Sequence, residues 1–309
     1  MDDERVILPV GGRGASVVAC STRDGSIVWK SGDDPASYSS TLLIQVQRHR
    51  QVVSFLQHAV VAQDPLTGQE LWRDRWSASG YDRHNTAPVY HEPYLFCSTC
   101  CKRGARVLKL GYEKGMAKAE LAWANTAFCN DIYSSVFVGG YIYGSSLEQP
   151  AASPSGGTRS QFKCVELATG RVAWSSAAPG HASVLFYDNK LFLVNESGVL
   201  IVIEPNPAGY RELARSQVVE GKKPCWTTPT ISQGRLLVRN QETLACYRIG
   251  VMPTFTGTGP QAKGLETATV AASPVLPDDF KPQIQNRSML DEVFGNGTVW
   301  FTSSRRGKQ

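Results

Sequence analysis

The sequence predicts an all-β fold, a β-propeller of four-stranded antiparallel blades, and three observations carry that prediction. A tight turn followed by tryptophan recurs three times: Asp24-Gly25 with Trp29, Asp64-Pro65-Leu66-Thr67-Gly68 with Trp72, and Glu166-Leu167-Ala168-Thr169-Gly170 with Trp174, glycine standing at the same distance before the indole each time. Short runs of β-branched and aromatic residues, each bounded by turn residues, come in groups of four that recur about every forty to fifty residues. None of these runs has the 3.6-residue period of an amphipathic helix. A single four-stranded sheet leaves both faces uncovered, whereas radial stacking buries each sheet against its neighbours.

Taken in order, Arg5 to Val10, Ala15 to Cys20 and Ile27 to Trp29 read as three strands of a first, incomplete unit. Its Gly11 to Gly14 is followed by neither a helix pattern nor Gly-Lys-Ser, so it reads as a hairpin turn and not as a phosphate loop. The second unit is Thr41 to Val46, Val52 to Leu56, Ala59 to Ala62 and Gln69 to Arg73. Within it Pro65 presets φ for the turn and Gly68 tolerates positive φ. The third is Ala87 to Tyr90, Tyr94 to Cys97, Arg106 to Leu110 and Ala119 to Trp123, with a longer last turn over Gly111 to Lys118. The fourth opens at Ile132 to Val138, continues at Tyr141 to Gly144 and ends at Trp174, with a polar Pro/Ser/Gly loop over Gln149 to Ser160. The fifth is Ala182 to Phe186, Lys190 to Val194, Val199 to Ile203 and Tyr210 to Ala214, with Ala214 near the place of the tryptophan. The sixth has Thr228 to Ile231, Arg235 to Val238 and Thr243 to Arg248.

About six blades are therefore expected within residues 1–250. Residues 251–309 are Thr/Pro/Gly-rich without periodicity and read as a poorly ordered tail, with one closing strand at Thr298 to Thr302. The first unit lacks its innermost strand and the last its outermost, so the termini are expected to complete one blade between them. Trp29, Trp72, Trp123 and Trp174 are expected to fill the wedge between blades as core residues.

Composition narrows the function classes. With 309 residues, 42% hydrophobic and 19% charged, the chain can bury a sizeable core and is not of a disordered type. A net charge of +5 is mild for this length, which argues against nucleic acid as a partner. No apolar run reaches the roughly eighteen residues of a transmembrane helix. Met1-Asp2-Asp3-Glu4-Arg5 is acidic and unlike a signal peptide, which reads as cytoplasmic if that N-terminus is authentic. Eight cysteines are scattered along the chain, and Cys20, Cys164 and Cys246 sit in apolar strand-like runs as small hydrophobes.

The repeat resembles the pyrrolo-quinoline quinone (PQQ) repeat of the quinoprotein alcohol dehydrogenase-like β-propellers, and within them the non-enzymatic BamB-like branch. Three segments carry the resemblance: Val61-Ala62-Gln63-Asp64 with Thr67-Gly68 and Trp72, Cys164-Val165-Glu166-Leu167 with Thr169-Gly170 and Trp174, and Ala19-Cys20 with Asp24-Gly25 and Trp29. Tyr38-Ser39-Ser40 and Tyr133-Ser134-Ser135 are similar to the opening of the family's first strand, without its proline. The resemblance covers roughly residues 5 to 249. The family commonly has seven or eight blades, so this chain reads either as a small propeller or as a piece of a larger one. What it implies is a non-catalytic scaffold that binds protein partners in the periplasm or cell envelope, as a monomer and without a cofactor.

Two other functions remain open. Quinoprotein dehydrogenases hold PQQ and calcium in the channel, often under a vicinal cysteine pair, and this chain has Cys100-Cys101. Its calcium and base positions do not match residue by residue, so Cys100 and Cys101 stand as cofactor-binding candidates only under that alternative. A carbohydrate-associated module is the third reading, from Tyr and Trp in the connecting loops. Cys97, Cys100, His84 and His91 do not make a zinc pattern, because structural zinc shows two ligand pairs at defined spacing. Binding residues concentrate in loops on rigid scaffolds. The candidates for a binding face are Tyr38, Tyr81, Arg83, His84, Asn130, Asp131, Tyr133 and His181, all of which precede or open a blade's first strand. The competing reading is that they only cap blades.

Overall fold

Alternation along the strands determines how the sheets stack. In the computed structural model, which describes residues 4–76, 84–100, 103–147, 160–221, 224–249 and 300–304, six antiparallel sheets follow one another in chain order. The first has three strands, β1 (Arg5–Gly12), β2 (Ala15–Ser21) and β3 (Ile27–Ser31). The second comprises β4 (Leu42–Val46), β5 (His49–Phe55), β6 (Ala59–Gln63) and β7 (Glu70–Arg75), and the third β8 (Val89–His91), β9 (Tyr94–Thr99), β10 (Gly104–Glu113) and β11 (Met116–Asn125). The fourth is β12 (Val136–Val138), β13 (Tyr141–Leu147), β14 (Ser160–Glu166) and β15 (Val172–Ser176). The fifth is β16 (Ala182–Tyr187), β17 (Lys190–Asn195), β18 (Val199–Ile203) and β19 (Glu212–Gln217). The sixth is β20 (Thr230–Ser232), β21 (Arg235–Arg239), β22 (Thr243–Arg248) and β23 (Trp300–Ser304). Each sheet is a meander in sequence order, and β12 touches both β8 and β16, which places the first strands innermost. Among the described residues no helix forms, and so none is long and apolar enough to cross a membrane.

Five hydrophobic clusters fill the five joints between successive sheets. Ile142 and Val165 face back into the third–fourth joint, while their neighbours Tyr143 and Cys164 face forward into the fourth–fifth. In the fifth sheet Leu191, Leu193, Ile201 and Ile203 face back, and Phe192, Val194, Leu200 and Val202 face forward. Period-two strands buried on both faces read as continuous apolar runs for this reason. Trp29, Trp72, Trp123 and Trp174 lie one in each of the first four joints, and Ala214 packs in the fifth.

Each of the first five sheets carries a β-bulge at one equivalent place, beside the indole in the first four and beside Ala214 in the fifth. The pairs Ala19↔Trp29, Ala62↔Trp72, Val107↔Trp123, Cys164↔Trp174 and Val202↔Ala214 each precede a register shift on the next residue. A bulge adds local twist and re-aims the side chain next to it, which turns a large residue on the outer strand into the joint.

The structure departs from the sequence reading in four places. The long turn expected over Gly111 to Lys118 is a tight hairpin: Lys114 and Gly115 take φ of 50° and 80°, and β10 and β11 run on into it. Two consecutive positive-φ residues are the geometry of a type I′ turn, which matches strand twist. The first strand of the fourth unit is only Val136–Val138, because Ser135 before it is drawn into side-chain bonding with Asn130. The last strand of the fifth unit is Glu212–Gln217, later than Tyr210 to Ala214. The sixth sheet takes β23 as its fourth strand, pairing Tyr247 with Trp300 and Thr243 with Ser304, while the first sheet keeps three strands among the described residues. The expectation that the two termini share one blade is thereby corrected. The loop over 149–159 and the tail over 251–299 and 305–309 lie outside the described residues.

Candidate functional site

The lead-ins to the innermost strands share a register. Leu42, Val89, Val136, Leu185 and Thr230 pair with Val53, Phe96, Tyr143, Phe192 and Leu237 on their second strands. The residue four positions before each is Tyr38, Asn85, Ile132, His181 and Trp226. In an up-and-down meander these lead-ins share one rim with the turns between second and third strands. Three of the five are large side chains left in solvent: Tyr38 is 68%, Ile132 37% and Trp226 54% exposed.

His181 is the exception and anchors a cluster. It is only 7% exposed, its ring lies 4.6 Å from that of Tyr133, and its Nδ1 is 3.3 Å from Glu196 Oε1. The same carboxylate oxygen accepts from Trp226 Nε1 at 2.9 Å. The backbone ties the group together: Glu196 N donates to His181 O, Cys225 N to Glu196 O, and Tyr133 Oη to Cys225 O. Three lead-ins, to the fourth, fifth and sixth sheets, thus meet at the turn after β17.

The electrostatics of the cluster follow from these bonds. The hydrogen bond from His181 holds the Glu196 carboxyl below its ordinary range, with help from Trp226 and against the effect of burial. Burial pushes Asp131 up, opposed by His181 and reinforced by the Glu196 charge. A carboxylate only accepts, so the bond places the His181 proton on Nδ1 and leaves Nε2 as an acceptor. That Nε2 is buried without a hydrogen-bond partner. Burial raises the Tyr133 hydroxyl and the Cys225 thiol as well, so neither is an ionised nucleophile at neutral pH. The cluster thus sets the Glu196 carboxylate against an exposed indole, with the His181 ring buried behind them.

The other candidates are placed as follows. Asn130 is buried and bonded throughout: its N donates to Ser98 Oγ, its Nδ2 to Ser145 O, and its Oδ1 accepts from Ser135 Oγ. It joins the third and fourth sheets. His84 is buried, stacked on Phe55 at 3.8 Å and near Trp76, inside the second–third joint. Asp131, Tyr133 and His181 come together, and Tyr38 stands apart on the same rim. Tyr81, Arg83 and Cys101 lie outside the described residues. Cys100 is buried. Among the described residues no group of three or more His, Cys, Asp or Glu side chains is placed to hold a metal ion.

Glu196 and Trp226 were absent from the sequence candidates. Trp226 could have been found by counting back from Thr230, as Tyr38 is found from Leu42. Glu196 lies in a turn between second and third strands and carries no local signal.

A family model described as outer membrane protein assembly factor BamB matches residues 1–176, more than half of the chain. No curated protein matches the sequence. Among solved structures, BamB from Moraxella catarrhalis is similar with a TM-score of 0.54 at 15% identity, over 78% of this chain and 65% of that one. The Myceliophteria thermophila Cps50 (Swd1) β-propeller domain is similar with a TM-score of 0.51 at 10% identity, over 80% and 83%. A europium-containing methanol dehydrogenase has a TM-score of 0.50 at 12% identity, over 78% and 60%. The chain thus spans less than two thirds of the BamB and dehydrogenase chains, and at these identities the likeness is one of fold.

Proposed function

The chain belongs to the family described as outer membrane protein assembly factor BamB, and from that membership we propose that it is a non-catalytic scaffold of the cell envelope that docks a protein partner on the lead-in rim. The observation that carries the reading is the recurrence of exposed Tyr38, Ile132 and Trp226 at one register position of three sheets. The core does not need them, since each joint is already filled by its own cluster. Exposed apolar side chains gathered on one rim mark interaction surfaces, and aromatic anchors dominate such interfaces. Glu196, bonded to the Trp226 indole, with Asp131 near Glu196, suits a Lys or Arg of the partner, held by charge and by the ring face.

The test is site-specific photocrosslinking in envelope extracts, with a photoreactive amino acid in place of Trp226 or Tyr38 and, as control, of Leu121 on an outer strand. One discrete adduct from both rim positions and none from Leu121 is expected, and Trp226→Ala with Tyr38→Ala should reduce capture of that protein at least tenfold. Equal adducts at all three sites, or turnover in a dye-linked alcohol oxidation assay with PQQ and calcium, would remove the scaffold reading.

A further inference from the structure

A cavity of about 450 Å³ opens on the opposite end of the second and third sheets, between the β4–β5 turn, the β6–β7 turn and the β10–β11 hairpin. In a meander those connections alternate with the lead-ins, so this mouth and the rim described above point in opposite directions. The volume falls within the range of small-molecule sites.

Its walls are of two kinds. Arg48, His49 and Arg50 arrive together on the β4–β5 turn, all exposed, with His49 stacked on Tyr112 at 4.1 Å. Leu66 and Leu71 form the apolar side; Leu66 is exposed, and Leu71 is continuous with the second–third joint. Asp64 Oδ1 is engaged by Leu66 N, Thr67 N and Thr67 Oγ1 in capping its own turn, and Glu92 Oε1 accepts from Gln47 N. Arg48 makes no ion pair among the described residues. The Tyr112 hydroxyl, at the cavity's back, is held by Gln51 Nε2 at 3.0 Å, and Gln51 in turn by Trp72. One wall is thus braced by the joint itself.

We propose that this cavity binds an amphiphilic phosphate: a phosphate monoester or diester head on Arg48 and Arg50, and an aliphatic body along Leu66 and Leu71. Guanidinium groups match phosphate oxygens with paired donors, and a tetrahedral head can accept from two arginines and an imidazole approaching from different sides. An inorganic ion alone would leave the leucine wall wet.

The head can belong to a soluble ester or to a lipid, and two arms separate them. Calorimetry of the full chain with hexyl phosphate should show saturable binding, tighter than inorganic phosphate and weakened by added salt. Arg48→Glu and, independently, Leu66→Asp should each weaken it about tenfold or more, from loss of a charge-assisted bond or of apolar cover. Arg13→Glu, an equal charge change on the β1–β2 turn, should stay within about twofold. Co-sedimentation with phosphatidylcholine vesicles containing phosphatidylglycerol, lost in Arg48→Glu, assigns the head to a lipid. Hexyl phosphate binding without co-sedimentation assigns it to a soluble ester. No saturable hexyl phosphate binding, or binding that Arg48→Glu leaves within twofold, overturns the proposal.

Discussion

Gly68 and Gly170 have a second role beyond their turns. Both take φ of 74°, as tight turns require, but each also lies against the indole of the preceding sheet. A Cβ on Gly68 would stand 2.5 Å from Trp29 Cε3, and one on Gly170 would stand 2.7 Å from Trp123 Cδ2. The same turns receive the indole nitrogens: Trp29 Nε1 donates to Pro65 O at 3.0 Å and Trp123 Nε1 to Leu167 O at 2.7 Å. Gly68→Ala therefore meets both a disfavoured backbone and a buried ring that cannot step aside. It should destabilise the protein by about 2–4 kcal/mol, read as a lower urea midpoint with an unchanged slope. The glycine-to-tryptophan spacing was legible in the sequence, whereas this partnership was not. The spacing links residues within one sheet, and the contact links two.

At the scale of elements, the third sheet shows how the joint is kept when the motif is missing. Its outer hairpin turns at Lys114–Gly115 and offers Trp72 no Thr-Gly landing. Trp72 instead donates to Gln51 Oε1 at 2.8 Å within its own sheet, and Gln51 reaches Tyr112 Oη across the joint. Gln51 is fully buried. Gln51→Leu leaves the Trp72 N–H without an acceptor in a dry place, at a cost of about 1–3 kcal/mol by chemical denaturation, whereas Gln51→Glu keeps an acceptor for the Trp72 N–H and one for the Tyr112 hydroxyl and should destabilise through burial of its charge, an effect that fades as the pH is lowered. Strand positions were legible because β-branched runs and turn residues are local signals. The repeated bulge beside each indole was not, since a bulge is a relation between two strands that composition does not record.

Across the whole molecule, packing is between nearest neighbours: each cluster joins one sheet to the next, and among the described residues none joins the sixth to the first. Stability in such an array is approximately a sum of units and joints. Leu193→Ala, in the fourth–fifth joint, should cost about 2–5 kcal/mol there and raise hydrogen exchange in the fourth and fifth sheets before the second. Uniform acceleration through all six sheets would show a single cooperative body. The rim cluster was only half legible at this scale, because lead-ins can be counted from strand positions, but Glu196 reaches His181 and Trp226 only through the arrangement of three sheets. The reach of Trp29, Trp123 and Trp174 into the turn of the following sheet has one more consequence. The repeat that is copied in the gene and the joint that is built in space are offset by half a blade, like bricks laid in running bond. A blade inserted or removed between two such turns leaves joints of this kind with their own indole and their own landing, so the circumference of this architecture can drift in evolution, or be set by design, without such a joint being invented anew.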